Sequence, residues 1–273
     1  MTSSNETAVH GIVNLTRDSF SDGGQFLDAD AAISHALQLV KDGAQMIDLG
    51  PASSHPDAET VSPKEEVRRL LPVMRTLRQE NVPFSVDSYH SSTQKVAAEA
   101  GAAALNDIQA FVRPEKRHWL LEHPELQLIC MHSVQREGIA SREKTSFSST
   151  ASTIVDDILD FFRTRFVELE TMGMKRSQLW LDPGMGFFLD ADPMVSVQVL
   201  KELPKLSAFH EQLYVSVSKK SFLRRLADCT LDDIAAPNLA AELFAARQGA
   251  RILRTHDVAN LCRALKIEKA LNS

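Results

Sequence analysis

The chain alternates two textures of polar and apolar positions from one end to the other. Short apolar runs bounded by Gly, Pro, Asn or Asp read as strands buried on both faces. Between them, apolar residues return every three or four positions, the period of an amphipathic helix. The runs predict strands at 9–14, 45–50, 83–87, 103–106, 126–131, 179–182, 213–217 and 250–253. The first helical stripe is Ile33, Ala36, Leu37 and Val40, closed by Gly43. The second starts at Ser62 and Pro63, with a capping box to Glu65, and places Val67, Leu70, Leu71, Met74 and Leu77 on its buried side. Helices are also expected over 94–100, 114–121, 192–203, 232–248 and 258–271. The longest carries Ile154, Val155, Ile158, Phe162, Phe166 and Leu169. Polar loops cover 16–25, 51–61 and 133–149.

Strand–helix alternation argues for a parallel sheet, and eight strands favour a closed (β/α)8 TIM barrel over an open sheet. The length of 273 residues suits one such domain, since these barrels typically run to roughly 250 residues. Residues 1–7 are polar and read as a flexible N-terminus.

Composition narrows the function classes. A hydrophobic content of 44% and a charged content of 24% are those of a soluble globular protein. A net charge of −6 argues against a nucleic-acid or membrane surface, while leaving room for a local basic pocket. No apolar run approaches the ~20 residues of a membrane span. The first residues lack the charged and apolar regions of a signal peptide. Three widely spaced cysteines, Cys130, Cys229 and Cys262, read as reduced thiols of a cytoplasmic protein.

The candidate chemistry lies at the strand ends. Asn14, Asp48, Asp87, Asn106, His132, Asp182, Ser218 and the pair Arg254 and His256 stand within a few residues of the ends of the eight strands. Strand C-termini are where a barrel assembles its active site. Strand-end Asp and Asn also satisfy loop amides, and a lone Asp182 would be read that way. A polar group at every strand end asks for more. Asp87, Asn106 and Asp182 could hold a polar heterocycle with an amidine-like edge, because a carboxylate pairs two N–H groups side by side. Lys219, Lys220, Arg254 and His256 are cationic or can become so, and suit a phosphate. Ser218 to Ser221 lie where a strand passes into a helix, whose first amides bind anions. Acids on one side and cations on the other fit a substrate with a heterocycle and a leaving phosphate.

These residues resemble a known family. Asn14-Leu-Thr-Arg-Asp-Ser-Phe-Ser-Asp-Gly-Gly24 resembles the first signature of the dihydropteroate synthases. Ile47 to Gly50, Ser85 to Ser88, Asn106 to Ile108, Met131-His132, Asp182 to Phe187, Ser218 to Phe222 and Arg254 to Val258 follow in family order. The resemblance spans roughly residues 9 to 270. It implies a (β/α)8 barrel and a magnesium-assisted condensation of 6-hydroxymethyl-7,8-dihydropterin diphosphate with p-aminobenzoate. It assigns Asp87, Asn106, Asp182 and Lys220 to the pterin, with Met131 and Phe187 packed near the ligands. It gives Asn14, Arg254 and His256 to the diphosphate, with Mg2+ near Asn14, and makes Asn14, Lys220, Arg254 and His256 the catalytic set. Ser53, Ser54, Pro56, Phe187, Phe188, Ser218 and Ser221 would meet p-aminobenzoate. Loops 15–27 and 51–61 resemble mobile loops that close over the substrates. The resemblance also implies a homodimer through the last helices.

Several positions depart from the family pattern. Arg17 replaces a usual Pro, and Ala52 to Pro56 replace a usual Glu-Ser-Thr-Arg-Pro. Phe188-Leu189 replace Gly-Lys, and Lys219 replaces Arg. Gly186 to Leu189, Pro51 to Ser54 and Met131 to Gln135 are similar to the sulfonamide-insensitive branch. Two other readings share a pterin site. One is a methyltetrahydrofolate–corrinoid methyltransferase, which the anion-binding groups disfavour. The other is a non-catalytic homologue, suggested by His55 where the family has Arg. His35, His118, His123 and His210 read as surface or structural, Phe161, Phe162 and Phe166 as core, and the charge run 65–69 as a solvated helix face.

Overall fold

The computed structural model describes residues 7–16, 25–52, 60–134 and 150–272. Arg17, Ser53, Ser54, His55 and Pro56 lie outside the described residues, as do most of loops 15–27 and 51–61, nearly all of 133–149, and the N-terminal stretch expected to be flexible.

Eight strands form one parallel sheet: β1 (Ala8–Asn14), β2 (Met46–Gly50), β3 (Phe84–Asp87), β4 (Ala104–Asp107), β5 (Gln127–Met131), β6 (Leu179–Asp182), β7 (Tyr214–Val215) and β8 (Ile252–Thr255). Their order is β6-β5-β4-β3-β2-β1-β8-β7. The remaining seam closes through a parallel bridge between Leu181 and Leu213, with Leu181 N–H donating to the Gln212 carbonyl at 2.9 Å. The sheet is therefore a (β/α)8 barrel. Helices α1 (Gln25–Lys41), α2 (Pro63–Gln79), α3 (Ser91–Glu99), α4 (Ile154–Met172), α5 (Pro193–Lys201), α6 (Leu203–Phe209), α7 (Ser221–Ala227), α8 (Ala235–Arg247) and α9 (Val258–Asn272) accompany the strands. No described helix is long and apolar enough to cross a membrane. All three cysteines are free.

Strand alternation divides the side chains cleanly. Val9, Val13, Ile47, Leu49, Val86, Leu105, Leu128 and Leu181 point outward and join the helical stripes in the main core. The inward set begins with a plug of Met46, Ala104, Ile129, Tyr214 and Ile252, with Trp180 against it. The His10 ring lies 5.5 Å from Tyr214 and 5.7 Å from Trp180. This plug seals the barrel floor, so a ligand can enter only from the C-terminal mouth.

Four local expectations change in the structure. The segment 114–121 is a 3₁₀ helix, Pro114–Glu122, broken at Arg117, whose side chain turns inward to Gln94 and pairs with Asp107. The helix expected over 192–203 is α5, which ends at Lys201, and a further helix not expected from the sequence, α6, follows it from Leu203 with Pro204 in its first turn. Strand β7 stops at Val215, and Lys219 beyond it takes a left-handed φ of 59° with its N–H on Asn238 Oδ1 at 3.0 Å.

The buried stripe of α2 is rotated by one position, which is the fourth change. Glu66, Leu70, Val73, Met74 and Leu77 are buried, and Val67 and Leu71 only half so. The charge run is therefore a solvated face only in part: Arg68 is exposed and Glu65 partly so, but Glu66 is buried. Glu66 accepts hydrogen bonds from Ser88 Oγ and Thr93 Oγ1, each at 2.7 Å. Arg69 donates to the carbonyls of Pro51 at 2.8 Å and Leu15 at 3.3 Å. Ser62 caps α2 as expected, while the Glu65 carboxylate pairs with Arg68 and Arg69.

Candidate active site

A cleft of about 300 Å³ opens at the strand C-termini. Its wall includes Asn14, Asp87, Asn106, Met131, Asp182, Phe187, Phe188, Lys220, Ser221, Arg254 and His256. The strands explain the convergence. Asp87 lies beside Asn106 in the β3–β4 register, and Met131 beside Asp182 in the β5–β6 register. Each is the inward residue of its pair, so four neighbouring strand ends aim at one volume.

Asp182 is 3% exposed. One of its oxygens accepts the Gly184 N–H at 2.8 Å. The capping reading is thus true of half the carboxylate, and the second oxygen is left for the cleft. The turn requires glycine: Gly184 has φ +72°, and a Cβ there would come within 2.3 Å of the His132 carbonyl oxygen. Burial raises the Asp182 carboxyl to about 6, against the pull of the Gly184 N–H, Lys220 and Arg254. Asn106 Oδ1 is buried without a hydrogen-bond partner, an acceptor that a ligand N–H would satisfy.

Arg254 spans two acids inside the barrel. Its Nε donates to Asp48 at 2.5 Å and its Nη2 to Asp87 at 2.9 Å. Asp48 is fully buried and also accepts from Ser85 Oγ at 2.5 Å. Burial lifts the Asp87 carboxyl above the usual carboxylate range, with Arg254 opposing and Asp48 assisting. Burial works against the charge of Arg254, and the two acids more than offset it. Sequence reading grouped Arg254 with the phosphate-binding cations. In the structure it is first the counter-ion of Asp48 and Asp87.

The other cations differ among themselves. Burial, then Arg254, lowers Lys220 to about 8, while Asp182 and Asp87 hold its charge. Its Nζ sits 4.8 Å from the centre of the Phe188 ring. Phe188 packs with Ile108 and Met131, so the ring walls the cleft and does not point outward. His256 was expected to be able to carry charge, and the structure holds it neutral. Burial together with Lys219, Arg254 and Lys220 pushes its imidazole down to about 3.

Ser218 is not in the cleft wall. Its hydroxyl stands 3.0 Å from His256 Nδ1 and accepts the His256 N–H at 3.2 Å, which ties it to the imidazole. No side chain caps the first turn of α7.

Sequence reading missed Ile12, Ile108, Ser216 and Arg224 in the wall. A signal for each existed. Ile12 and Ile108 lie two residues from Asn14 and Asn106, and Ser216 lies two residues from the inward Tyr214, the spacing that returns a chain to one face. Arg224 lies one turn beyond Ser221 on α7. Among the described residues, no cluster of three or more His, Cys, Asp or Glu could ligate a metal. Asn14 brings one neutral oxygen to the end of β1. A Cβ on Gly50 would stand 3.0 Å from that oxygen, so the glycine keeps its surroundings clear.

Comparison with known proteins places this geometry in context. Residues 10–256 match the family described as pterin binding enzyme. A dihydropteroate synthase type-3 of Escherichia coli is 45% identical over 264 residues, 96% of this chain and 98% of that protein. The structure of Xanthomonas albilineans dihydropteroate synthase with 4-aminobenzoic acid superposes with a TM-score of 0.88 at 32% identity, covering 98% of this chain and 94% of the other. The same enzyme in complex with 7,8-dihydropteroate gives a TM-score of 0.84 at 31% identity, covering 98% and 95%.

Proposed function

The chain belongs to the pterin-binding enzyme family, and from that premise we propose how its barrel mouth works as a dihydropteroate synthase. It joins 6-hydroxymethyl-7,8-dihydropterin diphosphate to p-aminobenzoate and releases 7,8-dihydropteroate and diphosphate. The observation that carries the mechanism is the meeting of buried, unsatisfied acceptors with a group of cations in one cleft. The relatives named above are synthases, in line with this reading and not with the methyltransferase or non-catalytic alternatives.

Asp182 takes the amidine-like edge of the pterin on its free oxygen, and Asn106 Oδ1 accepts a further ring N–H. Asp87 lies beside Asn106 and completes that side. Met131 and Phe187 pack on the ring faces, and Lys220 contacts the heterocycle from above the Phe188 ring. At the other end, Asn14, Arg254 and His256 meet the diphosphate. The C–O bond breaks with its electron pair leaving on the diphosphate, and the ring spreads the resulting positive charge. The p-aminobenzoate nitrogen forms the new C–N bond and sheds its proton, so no activated Ser or Cys is required. Loops 15–27 and 51–61 close over the site, and Ser53, Ser54, Pro56 and Ser221 meet the second substrate. Closure excludes the water that would trap the cation.

Asn14 fits a magnesium ion that takes one or two protein oxygens and completes its shell with phosphate and water. Bound there, the ion would neutralise charge on the departing diphosphate.

Insensitivity to sulfonamides belongs to the same proposal. Phe188 occupies the position where the family usually has Gly, and a ring in the wall opposes a tetrahedral, substituted sulfonyl more than a planar carboxylate. We place the enzyme in the cytoplasm as a homodimer. Ile267 and Leu271 of α9, 62% and 80% exposed, support burial of the last helix against a second copy. Sedimentation of the purified protein as a monomer would remove the dimer.

The test of function is diphosphate release by purified protein from the dihydropterin diphosphate, with and without p-aminobenzoate. Release that depends on p-aminobenzoate, with dihydropteroate formed in equal amount, is expected. Absence of that dependence would overturn the reading.

A further inference from the structure

Behind Asp87 and Asn106, α3 buries a glutamine in a stripe that otherwise holds Thr93, Ala97 and Ala98. A buried amide is costly unless its hydrogen-bonding groups are used. Those of Gln94 are. Its Nε2 donates to the Ser88 carbonyl at 2.7 Å and to Asp107 Oδ2 at 2.8 Å, and its Oε1 accepts the Arg117 Nε–H at 3.0 Å. These partners fix which end of the amide is which: a carbonyl and a carboxylate accept, and a guanidinium only donates.

Both residues gripped by the Gln94 nitrogen directly follow a residue of the cleft. Ser88 comes after Asp87, and Asp107 after Asn106. The β3–β4 register ends with Asp87 beside Asn106, and the Ser88 N–H donates to the Asn106 carbonyl at 3.0 Å. Beyond that bond the two backbones part into separate loops, and Gln94 spans them. Arg117 backs it, donating to the Val112 carbonyl and, at 3.3 Å, to the Tyr89 carbonyl, and standing 3.6 Å from Asp107.

The loop after β4 is under strain. Ala110, Phe111 and Arg113 take left-handed φ values of 50°, 55° and 56°, which residues with a Cβ adopt at a cost. Asp107 holds the start of that turn through the Gln109 N–H at 2.7 Å, and Ile108 in between reaches the cleft wall. On the cleft side, Asn106 Oδ1 has no partner of its own. Its place is therefore set from behind.

We propose that Gln94 is a positioning residue: its amide fixes the spacing between the Asp87 carboxylate and the Asn106 side-chain oxygen that the pterin meets together. This rests on the reading that both residues hold the pterin. Gln94 itself touches no substrate.

The test is calorimetric affinity for a pterin lacking diphosphate, in wild type, Gln94→Met, Asn106→Ala and the double variant, all below their unfolding temperatures. Methionine keeps the length of the side chain and removes all three bonds. Gln94→Met should weaken the pterin about tenfold, since small displacements of positioned groups are costly. Once Asn106 is cut back there is no spacing left to hold, so the same substitution in the Asn106→Ala protein should cost less than about threefold. KM for p-aminobenzoate at saturating pterin should stay within about twofold of wild type, because positions far apart act independently. Leu206→Ala, fully buried in α6, is the control for stability alone. It should lower Tm and leave pterin affinity as it was. Gln94→Asn, one methylene too short to reach both partners, should repeat the effect in a milder form.

Wild-type pterin affinity in folded Gln94→Met would overturn the proposal. So would an equal loss in both backgrounds, or failure of both Gln94 variants to fold, since the amide would then serve the fold as a whole. If Asn106→Ala alone left pterin affinity unchanged, the pterin site would be misassigned. If Asn106→Ala weakened binding and Gln94→Met did not, only the role given to Gln94 would fall.

Discussion

Replacing Asp182 by Asn tests the pterin site in a way the geometry makes one-sided. One carboxylate oxygen is committed to the Gly184 N–H at 2.8 Å. An asparagine must keep its oxygen there, since an amide nitrogen in that place would oppose the Gly184 donor. Its NH2 then occupies the cleft-facing position and meets the pterin edge donor to donor. The variant loses a charge-assisted bond, and a ring N–H is left without an acceptor, a penalty of about 2–3 kcal/mol. That corresponds to roughly 30- to 150-fold weaker pterin binding. The fold should not suffer. Burial raises the Asp182 carboxyl to about 6, so its ionised form destabilises the fold, increasingly as pH rises through that value. Near neutral pH the neutral amide removes this penalty, and Tm should stay level or rise. The pH course follows the same sign. The ligand needs the ionised acid, so wild-type affinity should fall up to about tenfold per unit below about pH 6, a loss the variant should lack. Calorimetric titration with a pterin lacking diphosphate, alongside thermal unfolding, measures both. Wild-type affinity in folded Asp182→Asn would refute the assignment.

Three further outcomes are expected. Arg254→Ala leaves Asp48 and Asp87 buried without their shared counter-ion, and thermal unfolding should register a loss of about 3–5 kcal/mol; a loss under about 1 kcal/mol would show that the acids simply protonate. Phe188→Gly should restore sulfonamide inhibition in a diphosphate-release assay with a modest change in KM for p-aminobenzoate, and potent inhibition of the unmodified enzyme would defeat the idea. Gly184→Ala drives a methyl into the His132 carbonyl oxygen at a positive φ, so it should cost about 2 kcal/mol or more and disturb Asp182; unchanged Tm and pterin affinity would contradict that geometry.

The barrel was legible in the sequence because strands buried on both faces leave continuous apolar runs, and their C-terminal polar residues stand out against them. The cleft was legible for the same reason: Asp87, Asn106 and Asp182 are the last inward positions of β3, β4 and β6. What escaped was pairing across the barrel. Asp48 and Arg254 are 206 residues apart, and no local pattern announces that one neutralises the other. The neutrality of His256 was hidden likewise, since it depends first on burial, then on Lys219 and Lys220 from another segment of chain and on Arg254 two residues before it. Glu66 was a different kind of miss. It stands four residues before Leu70, on the buried stripe, and the flanking charges made the whole run look solvated. The helical register was the better guide.

The Asp48–Arg254–Asp87 clamp joins the second and third strands to the last one. β8 pairs with both β1 and β7, so the ring cannot close until synthesis has passed Thr255. Before then, two carboxylates destined for the interior have no guanidinium and stay hydrated. Ring closure and charge neutralisation therefore depend on the same late segment of the chain, Ile252–Thr255.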